Sequence, residues 1–124
     1  EEKEGAHWLL KAGERGLSDG QYSVGVMYMG GKGVEQSYLE AHRWFLRAAG
    51  SGHAQAMNTL GVLYAKGLGV KQEPMRAYAW FKLAMEAGST DGEENLDATA
   101  EVISVQERTR GDGLANELLA LPRR

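Results

Sequence analysis

The 124-residue chain, with 43% hydrophobic and 25% charged residues, has the composition of an ordinary globular protein and not of a disordered tail. A net charge of -3 and an isoelectric point near 5.6 supply no basic field for a phosphate backbone, which argues against nucleic acid as a partner. The absence of cysteine removes disulfides, thiolate zinc sites and thiol nucleophiles from the inventory.

No apolar run approaches the roughly 18 residues of a spanning helix, so no membrane insertion is expected. The start Glu1-Glu2-Lys3-Glu4 has none of the pattern of a signal peptide, and the chain opens without Met. These features fit a soluble protein, either cytoplasmic or periplasmic or secreted after removal of a signal peptide.

Sliding the chain against itself reveals a gapless period of 36 residues. Gly25 recurs as Gly61, Tyr28 as Tyr64, Gly33-Val34 as Gly69-Val70 and Ala41 as Ala77. Trp8, Trp44 and Trp80 share one register, as do Ala12, Ala48 and Ala84, and Gly16, Gly52 and Gly88. The period divides the chain into a partial repeat or cap over 1–16, repeats over 17–52 and 53–88, and degenerate capping helices over 89–124.

Trp8, Leu9 and Ala12 at helical spacing, closed by Gly16, match the second half of a unit. Ser18-Asp19-Gly20-Gln21 reads as a capping box that opens the next helix, whose buried stripe is Val24, Gly25 and Tyr28 and whose end is Gly30-Gly31. Ser37 and Glu40 repeat the capping logic for a partner helix with Ala41, Trp44, Phe45 and Ala48 on its apolar face, ending near Gly50 or Gly52. In the following copy Glu73-Pro74 marks that same boundary, because proline suits the first helical position. Thr90-Asp91-Gly92-Glu93 is expected to cap a third first-type helix, in which Leu96 keeps the register while Asp97 replaces the glycine and Ala100 the tyrosine. Ser104-Val105-Gln106-Glu107 opens a last helix with Leu114, Leu118, Leu119 and Leu121, weakened by Gly111 and Gly113 and stopped by Pro122.

A glycine inside a helix costs about 1 kcal/mol relative to alanine, so its recurrence at Gly25 and Gly61 predicts that a neighbouring helix crosses there. Small residues let backbones approach, while Tyr28, Trp44 and Phe45 fill the wider gaps. The periodic tryptophans are expected in the core.

The pattern Leu60-Gly61-x-x-Tyr64-x-x-Gly67-x-Gly69-Val70, then Ala77-x-x-Trp80-x-x-x-Ala84 and Gly88, resembles the Sel-one-like repeat family, a relative of the tetratricopeptide repeat. The first copy fits as well, with Val24 in place of the leucine. The stretch Asn95-Leu96-Asp97 with Gln106 is similar to the ends of bacterial members. The resemblance covers essentially the whole chain. It implies an all-α fold, a right-handed alpha-alpha superhelix of antiparallel helix pairs, serving as a protein-protein interaction scaffold.

Catalytic and cofactor motifs find little support. Gly30-Gly31-Lys32-Gly33 lacks the preceding strand and full spacing of a phosphate loop, and its twin Lys66-Gly67-Leu68-Gly69 assigns the glycines to the repeat. His7, His42 and His53 form no metal-binding pair and read as surface histidines. Ser18, Ser37 and Ser104 read as caps and lie in no G-x-S-x-G elbow. The acids Asp91, Glu93, Glu94, Asp97 and Glu101 lack calcium-loop spacing and read as a solvated face. No catalytic residue, metal or cofactor is therefore expected.

With Met57, Leu60, Gly61 and Tyr64 in the buried stripe, helical geometry turns Gln55, Asn58, Val62 and Lys66 to another face. In tetratricopeptide-like solenoids that face lines the concave groove. Its counterparts are Asp19, Tyr22, Val26 and Gly30, with Met29 beside them, and Asp91, Glu94, Ala98 and Val102. The groove is expected to run from apolar and aromatic to acidic, with Tyr22 and Met29, exposed and without a core role, as anchors for a protein or peptide partner unless the Trp8 helix partly covers them. Two rival readings are a structural or oligomerisation segment of a longer solenoid, its N-terminal helix stacking on further repeats or on another copy of the chain, and a hydrolase like the cysteine-rich relatives linked to beta-lactam binding or hydrolysis. The missing cysteines weigh against the latter.

Overall fold

A computed structural model describes residues 17–118 and, before them, Lys3, Gly5, His7, Trp8, Leu10 and Lys11, which are helical. From residue 18 onward the helices are α1 (Ser18–Gly30), α2 (Tyr38–Gly50), α3 (Ala54–Lys66), α4 (Pro74–Glu86), α5 (Thr90–Val102) and α6 (Val105–Leu118). No strand occurs among the described residues. α1 pairs with α2 and α3 with α4, while α2 on α3 and α4 on α5 join successive pairs into an alpha-alpha superhelix. Leu9, Ala12, Gly16, Leu119, Leu121 and Pro122, which carry expectations made from the sequence, lie outside the described residues.

The two full copies fold through the same local bonds. α1 ends where Gly31, at φ 69°, donates its amide to the Met27 carbonyl, and α3 ends where Gly67, at φ 70°, donates to Leu63. Both are left-handed caps that an L side chain would strain. The amide of Ser37 then bonds the Tyr28 carbonyl at 2.8 Å and that of Glu73 bonds Tyr64 at 3.0 Å, so the next helix starts at one fixed place in both copies.

Helix starts follow the repeat register more closely than the capping motifs. The cap of each first-type helix is residue 17, 53 or 89: Leu17, His53 and Ser89. Ser18 therefore occupies the first helical position, and the expected Ser18 to Gln21 box does not form: α1 has no side-chain cap bond. Likewise Ser89, not Thr90, caps α5, its Oγ accepting from the Gly92 amide at 2.9 Å. Ser37 does cap α2 through the Glu40 amide, and Pro74 opens α4. The Ser104 box closes in both directions: Ser104 N donates to Glu107 Oε1 at 2.8 Å and Glu107 N to Ser104 Oγ at 3.1 Å.

The paired helices cross on glycine. A Cβ on Gly25 would lie 2.5 Å from Phe45 Cε1, and one on Gly61 would lie 2.4 Å from Phe81 Cε1. Each phenylalanine ring thus occupies the space a side chain would need. Phe45 is fully buried and Phe81 is 3% exposed. Burying such a ring contributes about 1.5–3 kcal/mol, more than the intrinsic helix penalty of the glycine. Around these crossings Ala41, Ala48, Ala56, Met57, Leu60, Leu63 and Ala84 complete the core.

The last two helices depart from the repeat. α5 and α6 scarcely touch, and α6 lies instead on α4. Asp97 stands where Gly25 and Gly61 stand, so α5 offers no glycine seat for a partner ring. Ala100 stands where Tyr64 stands. Gly111 admits Tyr78, since a Cβ there would lie 2.5 Å from Tyr78 Cδ1. Asp112 then accepts from Tyr78 OH at 3.0 Å and from Lys82 Nζ at 2.9 Å. The glycine expected only to weaken α6 is what seats it.

Trp44 and Trp80 are buried, but Trp8 is 67% exposed, against the expectation of a core residue. Trp44 packs on Val24 and Met27 of α1.

Gly61→Leu is expected to prevent folding or to lower the melting temperature by more than ten degrees, read by circular dichroism. At Gly113 a Cβ would meet nothing within 4 Å, so Gly113→Ala should be neutral or raise the melting temperature by a few degrees, gaining up to about 1 kcal/mol of helix propensity. Equal effects at the two sites would refute the crossing account.

Candidate functional site

The first-type helices α1, α3 and α5 are linked in sequence by side chains on one face. At the first seam His53, the cap of α3, accepts the Ala56 amide on Nδ1 at 3.1 Å. That bond requires a bare Nδ1, so in the neutral ring the proton sits on Nε2 and is donated to Asp19 Oδ1, 3.1 Å away. The same imidazole stacks on Tyr22 with centroids 4.7 Å apart and planes 16° apart, and Tyr22 tilts against Phe45 at 5.5 Å. At the second seam Asn95 Nδ2 donates to Asn58 Oδ1 at 2.9 Å. α3 and α5 are in direct contact there.

The residues assigned to the groove from the sequence divide by burial. Tyr22, Val26 and Met29 are half-buried and pack against the main core cluster, so the expectation that Tyr22 and Met29 have no core role is corrected. Tyr22 is covered by His53 and Phe45. Gln55 and Val62 are half-buried, and Lys66 and Glu94 are exposed. Asn58, expected to face away from the core, is only 5% exposed. Its amide lies in the floor between α3 and α5, held by Asn95, because an uncharged hydrogen-bonding pair can be buried there at little cost once both groups are satisfied.

Beyond Asn58 the face turns acidic. Asp91, Glu93, Glu94, Asp97 and Glu101 are exposed on α5, a helix with no basic residue. Val102, which occupies the register of Lys66, is 81% exposed.

Histidines read from the sequence as surface residues have specific partners. Besides His53, His42 on α2 places Nε2 3.0 Å from Tyr64 OH on α3, with the rings edge to face at 5.5 Å. Burial, followed by the charges of Arg76 and Arg43, holds the His42 imidazole below its ordinary pKa. Burial raises the Tyr64 phenol, with Glu73 adding to the rise and Arg76 opposing it. A signal was available for neither pairing, since the partners lie 22 and 34 residues away and the period places no histidine in the other copies.

Asp112 is drawn below the usual carboxylate range by its bond from Lys82, and that bond in turn raises Lys82, which makes the pair a fixed strut between α4 and α6. A cavity of about 300 Å³ lies between the start of α4 and α6, lined by Lys71, Met75, Arg76, Glu107 and Leu114. Its Arg76 is committed to Glu73 at 2.7 Å and its Glu107 to the cap at Ser104. Among the described residues no three His, Asp or Glu side chains gather as a metal site, and no helix is long and apolar enough to cross a membrane.

The Sel1 repeat family model matches residues 2–17, 18–53 and 54–89. Among solved structures, c5321, a protective antigen of uropathogenic Escherichia coli displaying an SLR fold, is 28% identical with a TM-score of 0.90 over 95% of this chain. A Sel1 repeat protein from Oxalobacter formigenes is 27% identical with a TM-score of 0.77, also over 95%. Cysteine rich protein B of Helicobacter pylori is 27% identical with a TM-score of 0.69 over 72% of this chain and 67% of its own. The chain spans 26% of the length of the first and 54% of the second. Comparison with curated proteins returned no match.

If Asn58 and Asn95 act as a pair, the double change to alanine should cost less than the sum of the single changes. A coupling of about 1 kcal/mol is expected in a denaturant double-mutant cycle. Strict additivity would remove the pair from the account of the groove floor.

Proposed function

Because this chain belongs to the Sel1 repeat family, whose repeats typically mediate protein interactions, we propose that it is a non-enzymatic module that takes a peptide or protein segment across the face of α1, α3 and α5. The observation that carries the reading is the continuity of that face: Tyr22–His53 and Asn58–Asn95 tie the three helices side by side. Half-buried Tyr22, Val26 and Met29 supply contact area on rigid supports, which limits the entropy lost on binding. Gln55, Val62, Lys66 and Glu94 continue the face toward α5, and Asn58 acts in its floor rather than as a direct contact. The repeats over 17–52 and 53–88 form the binding unit in this reading, with 1–16 and 89–124 as its flanks. The described side chains bring no nucleophile, base and orienting group together, which favours binding over hydrolysis.

A second reading, a structural segment of a longer solenoid whose N-terminal helix stacks on further repeats or on another copy of the chain, is favoured by the 67% exposure of Trp8. An indole so exposed is a common contact residue between chains.

The two readings separate by experiment. A partner captured from the native cell lysate by the wild-type protein should be lost with a folded Val62→Ala, Lys66→Glu, Glu94→Lys variant while Trp8→Ala retains it. Capture of the same partner by both groove variant and wild type would move the site off this face. Under the second reading, the mass from sedimentation equilibrium rises with concentration and returns to the monomer value with Trp8→Ala.

A further inference from the structure

The seam between the α1–α2 pair and α3 differs from the next one. α1 and α3 scarcely touch as backbones, whereas α3 and α5 are in contact and α4 is covered by both α5 and α6. Across the first seam, besides the shared core, run two polar links, and each depends on a histidine: His53 to Asp19 and Tyr22, and His42 to Tyr64. The second seam uses Ser89 as its cap and the Asn58–Asn95 pair, neither of which titrates near neutral pH.

We propose that the first seam is a proton-sensitive joint, closed while His42 and His53 are neutral and locally opened when they take up protons. At His53 the geometry is decisive. A proton on Nδ1 would point at the Ala56 amide, which already occupies that position as a donor. The ring must then leave the cap and with it the stack on Tyr22. The imidazolium would also sit at the positive end of the α3 dipole. The group that favours the charged form is Asp19 of α1, whose side chain is 97% exposed and therefore screened by water. Tyr22 is the other titratable group against the ring.

At His42 the charges act in the same direction. Arg43 follows it on α2 and Arg76 approaches from α4, with Tyr64 facing it from α3. The nearby carboxylates are committed elsewhere, Glu40 to Arg43 at 2.8 Å and Glu73 to Arg76 at 2.7 Å. Because folding depresses the His42 pKa, the unfolded chain binds more protons at pH values from the ordinary imidazole value of about 6.5 down to the folded one. The stability from this site is thus present above pH 6.5 and is lost as pH falls through that window. The joint uses the His53–Tyr22 stack that also lies in the proposed groove, and it is tested on the free chain without a binding partner.

Amide exchange by NMR on the whole chain, corrected for intrinsic rates, tests this directly. Between pH 7.5 and 5.0 protection at Ala56 and through the start of α3 should fall at least ten-fold, while the Ser89-capped Gly92 amide keeps its protection. The variant His42→Gln, His53→Ser, which installs at 53 the cap used at 89, should abolish the difference. A fall shared equally by Ala56 and Gly92, or one that persists in the variant, would overturn the proposal. If the variant does not fold, the wild type still decides. The Tyr64 ring resonances must move with the titration midpoint of His42, and a ring indifferent to that midpoint refutes the joint.

Discussion

The architecture depends on a phenylalanine ring seated on a glycine. Phe45 on Gly25 and Phe81 on Gly61 bring paired helices closer than any side chain would permit. The contact works because a flat, fully buried ring returns more free energy than the glycine loses in helix propensity. It also sets orientation, since the ring must lie flat on one turn of the partner. The chain reverses at left-handed glycines, at 31 and 67 within each pair and at 52 and 88 between pairs.

Where the seat disappears, the repeat changes form. Asp97 makes the α5 surface unsuitable for a buried ring, and an unpaired carboxylate could not be placed beneath one without a large desolvation cost. α6 therefore turns to α4. It is held there by a second version of the same device, a ring on a glycine, now Tyr78 on Gly111, strengthened by a phenol and an ammonium donating to Asp112. α5 and α6 thus both cover α4 and leave the acidic face of α5 exposed to water.

The proposed groove inherits its character from the seams between first-type helices. Its aromatic end is rigid because Tyr22 is clamped between His53 and Phe45, and its middle is flat because Asn58 is tied down to Asn95. In the E. coli, Oxalobacter and Helicobacter relatives the same solenoid path is kept at 27–28% identity. Such tolerance fits a scaffold in which a few small and aromatic positions dictate helix spacing and the remaining surface is free to vary.

The sequence by itself determined the period, the helix pairs and the close crossings at Gly25 and Gly61, because these are local or strictly repeated and so appear as residue spacing. Ser37, Pro74 and the Ser104 box were legible for the same reason: capping acts over three residues. Ser18 and Thr90 misled because a neighbouring residue, set by the repeat register, already held the cap position. Only the tertiary structure decided the placement of α6, the burial of Asn58 and the partners of His42 and His53. Each of these depends on which side chain arrives from another helix 22 to 37 residues away. A helical wheel gives the direction of a residue, but not whether another helix will be there to meet it.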